Sequence, residues 1–195
     1  MIDHHYVKRS GLKDPISKKN LDGYGAPIIP WERVYRRMTK GFTQAPKTGG
    51  PDRHTGWLAT VRPEGKPHVM PIGVLFVDDA FYFNTGPRTR KARNIARNPN
   101  SIITIATDDF DLVIQGPARR IVDAAHLQRI ADAFKKQGWE PTVVKGGLTA
   151  KYSAPSAGPP PWNVYEIRPE TIFALGTAEP YGATLWSFKT NTRRN

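Results

Sequence analysis

The chain contains no cysteine among its 195 residues. Disulfide bonds, thiolate metal sites and cysteine nucleophiles are therefore excluded, and a reducing compartment is compatible with the sequence. Long apolar runs are also missing. No stretch approaches the roughly 20 residues of a membrane-spanning helix, and the N-terminal sequence MIDHHYVKRSGLKDP has no apolar signal-peptide core. We therefore expect a cytoplasmic protein without a membrane partner.

Acidic residues are scarce relative to basic ones, at 17 against 29, and the formal net charge is +12. This excess favours anionic partners such as nucleotides, acidic cofactors, nucleic acid or a membrane surface, without choosing among them. Metal-ligand patterns are scarce too. His4 and His5 have no carboxylate or third histidine at helical or hairpin spacing, and Asp108, Asp109 and Asp111 lack the glycine and glutamate of an EF-hand. We expect no metal site.

The length and a hydrophobic fraction of 38% suit one domain with loose ends. Residues 1–30 are basic and interrupted by proline and glycine, which predicts a partly flexible arm that packs on the body or on a partner. Residues 31–176 carry the periodic apolar patterns of a folded domain. Residues 177–195 form a predicted tail whose aromatic residues have no evident place in their own core, so we expect the tail to pack at a dimer interface.

Turn signals and periodicity divide the domain into short strands and a few helices. Helices are predicted at 31–38 and 124–137, and loops at 43–55 and 138–162, the second long enough for a lid or an inter-subunit loop. Strands are predicted at 57–62, 67–77, 80–84, 101–107, 112–122 (interrupted at Gly116-Pro117), 164–168 and 171–176. The first three form a predicted meander, and the hairpin connections favour a small closed or split barrel. The chain lacks the G-x-G-x-x-G spacing and βαβ order of a Rossmann fold.

The stretch FYFNTGPRTRKARNIARNP, residues 81–99, carries the strongest chemical signal. It predicts a strand, a turn, and a helix from Pro87 to Asn98. Cations crowd the first two turns of this helix, where free amides already carry partial positive charge, at a cost of up to roughly 1 kcal/mol each. A phosphate bound by amides, threonine hydroxyls and basic side chains would remove that conflict. A solvated basic face or a nucleic-acid patch is the alternative interpretation.

Pro71 marks a second place of interest, because proline cannot donate a hydrogen bond to a sheet ladder. Residues 70–73 are therefore predicted to lie at a sheet edge, at a bulge, or where a ligand meets the backbone. An ordinary bulge explains the same proline without any ligand.

The sequence from Trp57 to Ile105, WLATVRPEGKPHVMPIGVLFVDDAFYFNTGPRTRKARNIARNPNSIITI, resembles the core of the flavin-binding split-barrel family that includes pyridoxamine phosphate oxidase. Within that superfamily it is most similar to the actinobacterial flavin- and deazaflavin-dependent oxidoreductases, as are the later pieces DLVIQGPARRIVD, SAPSAGPPPWNVYEIRP and TAEPYGATLWSF. The resemblance implies a mainly β fold, a six-stranded antiparallel split β-barrel with flanking helices. It also implies a homodimer with the cofactor between the subunits.

The resemblance assigns residues to that cofactor. The positions that match the family's phosphate-binding residues are Thr85, Arg88, Thr89, Lys91 and Arg93. The positions that match the strand facing the tricyclic ring are His68, Val69, Met70, Pro71 and Ile72, with Ala59 and Thr60 beside them. Trp186 falls where the partner subunit would cover the ring. No catalytic side chain is required, although His68, Tyr152 or Tyr165 could donate a proton to a reduced product.

The implied cofactor is FMN or the deazaflavin coenzyme F420, and the phosphate-binding residues do not separate the two. The acidic lactyl-glutamate tail of F420 suits the excess positive charge at Arg90, Arg93, Arg97, Arg119 and Arg120, so we prefer F420, although a solvated surface explains the same arginines. The tail LWSFKTNTRRN lacks the arginine- and histidine-bearing motif with which the vitamin-forming oxidase binds its substrate, so pyridoxamine phosphate is not the expected substrate. Close relatives in that branch tend to carry Thr-Arg-Trp where this chain has Thr184-Leu185-Trp186, so the resemblance does not support a charge contact from position 185.

These features together predict an oxidoreductase that transfers a hydride between F420 or FMN and a small conjugated or apolar organic substrate. A non-catalytic cofactor-binding or carrier protein with the same site is the first alternative. A basic nucleic-acid-binding module is the second, and the absence of aromatic residues between the arginines argues against it.

Overall fold

The architecture is mainly β and antiparallel, as predicted. The computed structural model describes residue 12 and residues 14–40 and 54–188. The described helices are α1 (Trp31–Thr39), α2 (Arg90–Arg97) and α3 (Ala124–Lys135), and one 3-10 turn spans Pro155–Ala157. The described strands are β1 (Ser17–Asn20), β2 (Thr55–Val61), β3 (Pro67–Gly73), β4 (Leu75–Val77), β5 (Ala80–Thr85), β6 (Asn100–Ala106), β7 (Phe110–Ile121), β8 (Thr142–Val144), β9 (Gly147–Thr149), β10 (Asn163–Ile167), β11 (Thr171–Gly176) and β12 (Gly182–Ser187).

Ten of the described strands form one sheet with the pairing of a split barrel. One branch runs in the order β1-β12-β11-β7-β10-β5-β4, and a second continues from β7 through β6 and β2 to β3. The remaining two, β8 and β9, form a separate hairpin inside the predicted loop at 138–162. The predicted split barrel is therefore confirmed, and its sheet contains ten described strands instead of the six expected.

The long strand β7 joins the two halves of the barrel. Its residues 110–115 pair with β11 and residues 118–121 pair with β10, while β6 pairs with residues 111–117. The change of partner falls at Gly116, where a Cβ atom would lie 2.5 Å from the carbonyl oxygen of Arg168. The predicted interruption at Gly116-Pro117 is thus a change of partner within a continuous strand, because only glycine lets the Arg168 backbone come so close.

The predicted strand 67–77 is two strands that belong to different parts of the sheet. β3 pairs with β2, and β4 pairs with β5, so the predicted three-strand meander is wrong. The chain leaves the β2–β3 hairpin at Val74, whose amide donates to the carbonyl of His54 at 2.8 Å. Among the described strands β3 has β2 as its single partner, so Pro71 lies on an edge strand. A sheet edge was one of the three predicted settings for this proline.

The C-terminal segment belongs to the core of its own chain. β12 pairs with β11 on one side and with β1 on the other, so the predicted boundary after residue 176 separates two paired strands. Trp186 is fully buried, with its ring 5.2 Å from the ring of Trp31 in α1. The prediction that the tail aromatics lack a place in their own core is wrong for Trp186 and Phe188, whereas Tyr181 is 56% exposed. Trp186 cannot cover a partner's cofactor ring here, because β1 and α1 already enclose it.

Two hydrophobic clusters hold the fold together. The larger fills the barrel, and the smaller lies between the sheet and α3. The buried face of α3 carries Leu127, Ile130, Ala131 and Phe134, which confirms the predicted helix up to its last turn. No helix in the described part of the chain is both long enough and apolar enough to cross a membrane. His4 and His5 and residues 43–53 of the first predicted loop lie outside the described residues.

Candidate functional site

The basic helix α2 begins at Arg90, three residues later than predicted. Pro87 occupies the second position of a turn that the Thr89 amide closes by donating to the carbonyl of Gly86 at 3.1 Å. Proline is favoured at that position of a turn and also at the first position of a helix. The start of α2 predicted from the sequence was therefore wrong by one turn. Arg88 therefore lies in the turn, and Arg90 and Lys91 form the first helical positions.

Thr89 caps α2. Its side-chain oxygen accepts a hydrogen bond from the Ala92 amide at 3.3 Å and donates to the Gly86 carbonyl at 2.9 Å. The hydroxyl oxygen of Thr85 lies 3.0 Å from that of Thr89, and since the Thr89 proton goes to Gly86, Thr85 is the donor. Thr85 is fully buried. Both hydroxyls therefore fix the start of the helix in this structure, and their contact with a phosphate stays a prediction.

Lys91 is a buried cation beside the helix start, only 3% exposed. Its Nζ donates to the carbonyl oxygen of Ser156 at 2.7 Å, and burial lowers the pKa of its ammonium group. An ammonium group has three N–H donors, and this bond uses one of them. The amides of Arg90 and Lys91 also lack acceptors within the helix, because the first turn of any helix leaves them unpaired. The helix start thus offers several donors to an anion.

Three positive charges surround the imidazole of His68 on β3. Burial lowers the pKa of His68, and the charges of Arg62, Lys91 and Arg90 lower it further. The Nδ1 atom of His68 and the Nε atom of Arg62 are both buried, and neither has a hydrogen-bond partner within the described part of the chain. Unpaired buried donors among converging cations are stabilised by an anion. Arg62 was missed by the sequence analysis, although its place at the β2–β3 turn puts it beside the strand that carries His68.

Asn94 ties α2 to the β2–β3 hairpin and was also missed. Its side-chain amide donates to the hydroxyl of Thr60 at 3.0 Å, and both residues are buried. The Thr60 hydroxyl in turn donates to the carbonyl of His68 at 3.3 Å. This chain of hydrogen bonds sets the position of the helix start relative to the strand. The sequence signal for Asn94 is its polar side chain on the otherwise apolar, buried face of a short helix.

The loop at residues 153–158 connects the helix start to β3. The Gly86 amide donates to the Ala157 carbonyl at 2.6 Å, and the Ser156 hydroxyl makes a longer bond of 3.4 Å to the Pro71 carbonyl. Ser156 therefore contacts both Lys91 and Pro71. Next to this loop lies a cavity of about 810 Å³, whose wall includes Pro71, Ile72 and Ser156.

The seven residues predicted to lie along the ring are divided between two faces of the β2–β3 hairpin. Ala59 is paired with Val69, which is 53% exposed, and Pro71 lies on the same outward face. The opposite face carries Thr60, His68, Met70 and Ile72. Of the remaining predicted residues, Arg88 and Arg93 are exposed near the start of α2. Which of them contacts a cofactor stays a prediction.

The match to a family model decides the family. Residues 42–176, well over half of the chain, match the model described as Pyridoxamine 5'-phosphate oxidase. The chain belongs to this family. None of the curated proteins compared with the chain matches it.

Solved structures agree with the split-barrel fold of the pyridoxamine 5'-phosphate oxidase family. A pyridoxamine 5'-phosphate oxidase-related, FMN-binding protein from Nostoc punctiforme has a TM-score of 0.55 and 19% identity, over 84% of this chain and 94% of that one. PhzG from Burkholderia lata 383, in complex with tetrahydrophenazine-1-carboxylic acid, has a TM-score of 0.54 and 13% identity, over 85% and 89%. A structure described as an F420 reductase reaches a TM-score of 0.42 at 21% identity over 62% and 90%, which is too distant to bear on the cofactor.

The donor set around α2 fits the anionic group of a flavin-type cofactor. The charges of Arg62, Lys91 and Arg90 all act on His68, and the Arg62 Nε and His68 Nδ1 atoms are buried without a described partner. Exposed arginines continue along the same helix at Arg93 and Arg97. Phosphate and carboxylate oxygens are the natural partners of such a group of donors.

Proposed function

We propose that this member of the pyridoxamine 5'-phosphate oxidase family is an oxidoreductase that binds FMN or coenzyme F420 and transfers a hydride between the cofactor and a small conjugated or apolar organic substrate. The observation that carries the proposal is the buried ammonium of Lys91, whose charge acts with those of Arg62 and Arg90 on His68, a residue with a buried Nδ1 atom that lacks a described partner. Burying a cation without a carboxylate is costly, and an anionic ligand offsets that cost. The family supports a flavin-type ligand.

Each group at the helix start has a separate role in this proposal. When bound, the cofactor supplies the hydride chemistry. Lys91 and the arginines would bind its phosphate, while Thr85 and Thr89 hold the first turn of α2 in place. The backbone of β3 at residues 68–72 would support the ring, and the loop through Ser156, which bonds the Pro71 carbonyl, would exclude water from one side of it.

His68 acts as an orienting group in this proposal. Burial and the surrounding cations lower the pKa of its imidazole, so the ring is neutral near pH 7. A neutral imidazole donates a hydrogen bond from one nitrogen and accepts one at the other, but it is a poor proton donor to a reduced product. We therefore assign it to cofactor orientation and not to proton transfer.

The preference for F420 over FMN rests on the arginines of α2. Of the five arginines expected to serve an acidic tail, Arg90, Arg93 and Arg97 are exposed on that helix. The other two lie on β7: Arg119 lines a separate cavity with His126, and Arg120 donates to the carbonyl of Gly146 at 3.1 Å. Three exposed cations in succession suit a polyanionic tail, so we keep F420 as the preferred cofactor.

We place the cofactor at the interface of a homodimer. Alternate residues of β2 form an outward apolar row, Trp57, Ala59 and Val61, none of which is fully buried within one chain. Val69 on β3 and Ile102 on β6 flank Ala59 on the same face. A contiguous apolar face beside a ligand site suits contact with a second copy of the chain.

Parallel fluorescence titration of the full-length protein with FMN and with F420 tests the cofactor assignment. We expect saturable binding of at least one of them, and Lys91→Ala should weaken it roughly tenfold to a hundredfold, the range for one lost charge-assisted bond. Lys136→Ala, at the exposed end of α3, is the control and should bind as the wild type does. Unchanged affinity in Lys91→Ala would remove α2 as the phosphate site.

Turnover separates the enzyme from a carrier. Reduction of a conjugated enone by the protein with reduced cofactor supports the oxidoreductase. Tight cofactor binding without turnover on any electrophile supports the non-catalytic carrier instead. Binding that falls steeply with salt and ignores both cofactors would support nucleic acid as the ligand.

A further inference from the structure

The cavity beside the Ser156 loop differs in charge from the rest of the molecule. The chain has 46 charged residues, 29 basic and 17 acidic. Yet no lysine, arginine, aspartate or glutamate occurs among the described residues that line this cavity of about 810 Å³. The second large cavity, by contrast, is lined by Arg119, Arg129, Arg168 and Glu166. A lining without ionised carboxylate, ammonium or guanidinium groups disfavours a charged ligand. Such a ligand would lose its hydration on binding and would find no opposite charge in the cavity to compensate.

Aromatic side chains form the wall that faces β3. The Trp139 ring packs edge-on against Phe134, with the ring centroids 5.1 Å apart, and its indole nitrogen donates to the carbonyl of Tyr152 at 2.8 Å. These contacts fix the Trp139 ring in one orientation. The Tyr152 side chain stands at the mouth of the cavity and is 65% exposed. Pro71, Ile72, Trp139 and Tyr152 all line this cleft, so its wall combines aliphatic and aromatic surface.

A few polar side chains that line the cleft have donors or acceptors without a partner among the described residues. The Gln137 side chain makes no hydrogen bond with any other described residue, and Asn84 uses one amide N–H on the Ser153 hydroxyl at 3.2 Å. Its amide oxygen has no donor among the described residues. One or two such groups in an apolar cleft orient a ligand that carries a carbonyl, hydroxyl or amide.

We propose that this cleft is the substrate site and that it takes an uncharged, planar aromatic or conjugated molecule with one or two hydrogen-bonding oxygen or nitrogen atoms. This rests on the proposed function, because Pro71, Ile72 and Ser156 belong both to the cleft and to the candidate cofactor site. A flat ligand between Pro71 and Trp139 lies beside the edge of β3, where the cofactor ring is placed. The cationic group at Lys91 is left to the cofactor.

Binding of a matched pair of probes tests the chemical class. The neutral ketone 2-acetylnaphthalene and the carboxylate 2-naphthoate share one ring system and nearly the same shape, and differ in charge. We expect the ketone to bind the full-length protein at least tenfold more tightly in calorimetry at about 0.3 M salt, where nonspecific attraction of the anion to a basic protein is screened. Equal or tighter binding of 2-naphthoate overturns the proposal.

A surface tyrosine locates the binding. Tyr152→Ala should weaken binding of the ketone threefold to tenfold. The variant should fold, because the Tyr152 side chain is mostly exposed and the Trp139 indole bonds the Tyr152 backbone carbonyl, not its ring. Tyr181→Ala is the control, since Tyr181 is 56% exposed and does not line the cleft. Loss of affinity in both variants, or in neither, rules out the cleft as the binding site.

Repeating the ketone titration with saturating FMN or F420, whichever binds, distinguishes substrate from cofactor. The ketone should bind with equal or higher affinity to the loaded protein. Displacement of the ketone by the cofactor would mean that the cleft holds the cofactor ring itself, which overturns the assignment. A protein that binds neither cofactor overturns the proposed function and the substrate site with it, whereas one that binds cofactor but not the ketone overturns only the site.

Discussion

Lys91 is the residue at which the proposed cofactor binding and the stability of the fold make opposite demands. Its ammonium group is buried, and its described hydrogen-bond partner is the neutral carbonyl of Ser156, not a carboxylate. Desolvation lowers its pKa, which means that the folded protein without ligand disfavours the charged form. A residue kept at such a cost is typical of a ligand site and not of a structural core.

Lys91→Met should therefore separate the two properties. Methionine has a similar length and no charge, so we expect the free energy of unfolding to stay the same or to rise by roughly 1 kcal/mol, as when buried ions are replaced by apolar side chains. Urea denaturation measures this, and cofactor titration of the same variant should show loss of binding. Lys136→Met, at an exposed position, should change neither quantity. A clear drop in stability in Lys91→Met would mean that the ammonium group is structural.

The sequence predicted Lys91 but not Arg62 or Asn94, and the reason is geometric. Lys91 belongs to one continuous strand-turn-helix stretch, whose run of basic residues is visible in the sequence itself. Arg62 and Asn94 join the site through the β2–β3 hairpin and through the packing of α2 on Thr60. Those contacts depend on strand register and helix rotation, which a single sequence specifies only weakly.

At the scale of elements, the start of α2 depends on its cap. Thr89→Ala removes the acceptor for the Ala92 amide and the partner of the Thr85 hydroxyl, so we expect a loss of about 1 to 2 kcal/mol in the free energy of unfolding. Cofactor affinity should fall as well, because the first turn then frays. Asp123→Ala is the matched control: it removes the cap of α3, where the Asp123 side chain accepts from the His126 amide at 2.7 Å.

Both cap variants should lose comparable stability in urea denaturation, and cofactor affinity should fall in Thr89→Ala alone. Equal effects of the two variants on affinity would mean that general destabilisation, not the geometry of α2, controls binding. Thr89→Ser keeps the capping oxygen and should restore most of both properties.

Elements and their pairing differ in how far the sequence predicts them. Periodicity located α1 and α3 and most strands, because each signal lies within one segment. Pairing failed where it depended on distant residues: β3 and β4 join different neighbours, and β12 inserts between β11 and β1. The sequence shows no burial site for Trp186 because the residues that bury it, such as Trp31, lie far away in the chain.

At the scale of the whole molecule, the outward face of β2, β3 and β6 should hold two chains together. Ile102 and Val69 flank Ala59 across adjacent strands, and Trp57 lies between Thr104 and Pro71 on the same face. We expect sedimentation to give twice the monomer mass. Ile102→Asp should yield monomers, because a dimer would bury an unpaired carboxylate in an apolar contact. Val122→Asp is the control, at a position 64% exposed beyond the end of β7, and should stay dimeric.

Cofactor affinity of the Ile102→Asp monomer then tests where the cofactor lies. If the ring is held between two subunits, the monomer keeps the phosphate contacts of Lys91 and Arg62 but loses the partner's cover of the ring. Cofactor affinity should then fall at least tenfold. Urea denaturation of the monomer should still show a cooperative unfolding transition, so that the loss of affinity is not a loss of folding. A monomer with wild-type affinity would place the whole cofactor site within one chain. A dimeric Ile102→Asp protein would instead move the interface to another face, and the apolar row on β2 would need a different explanation.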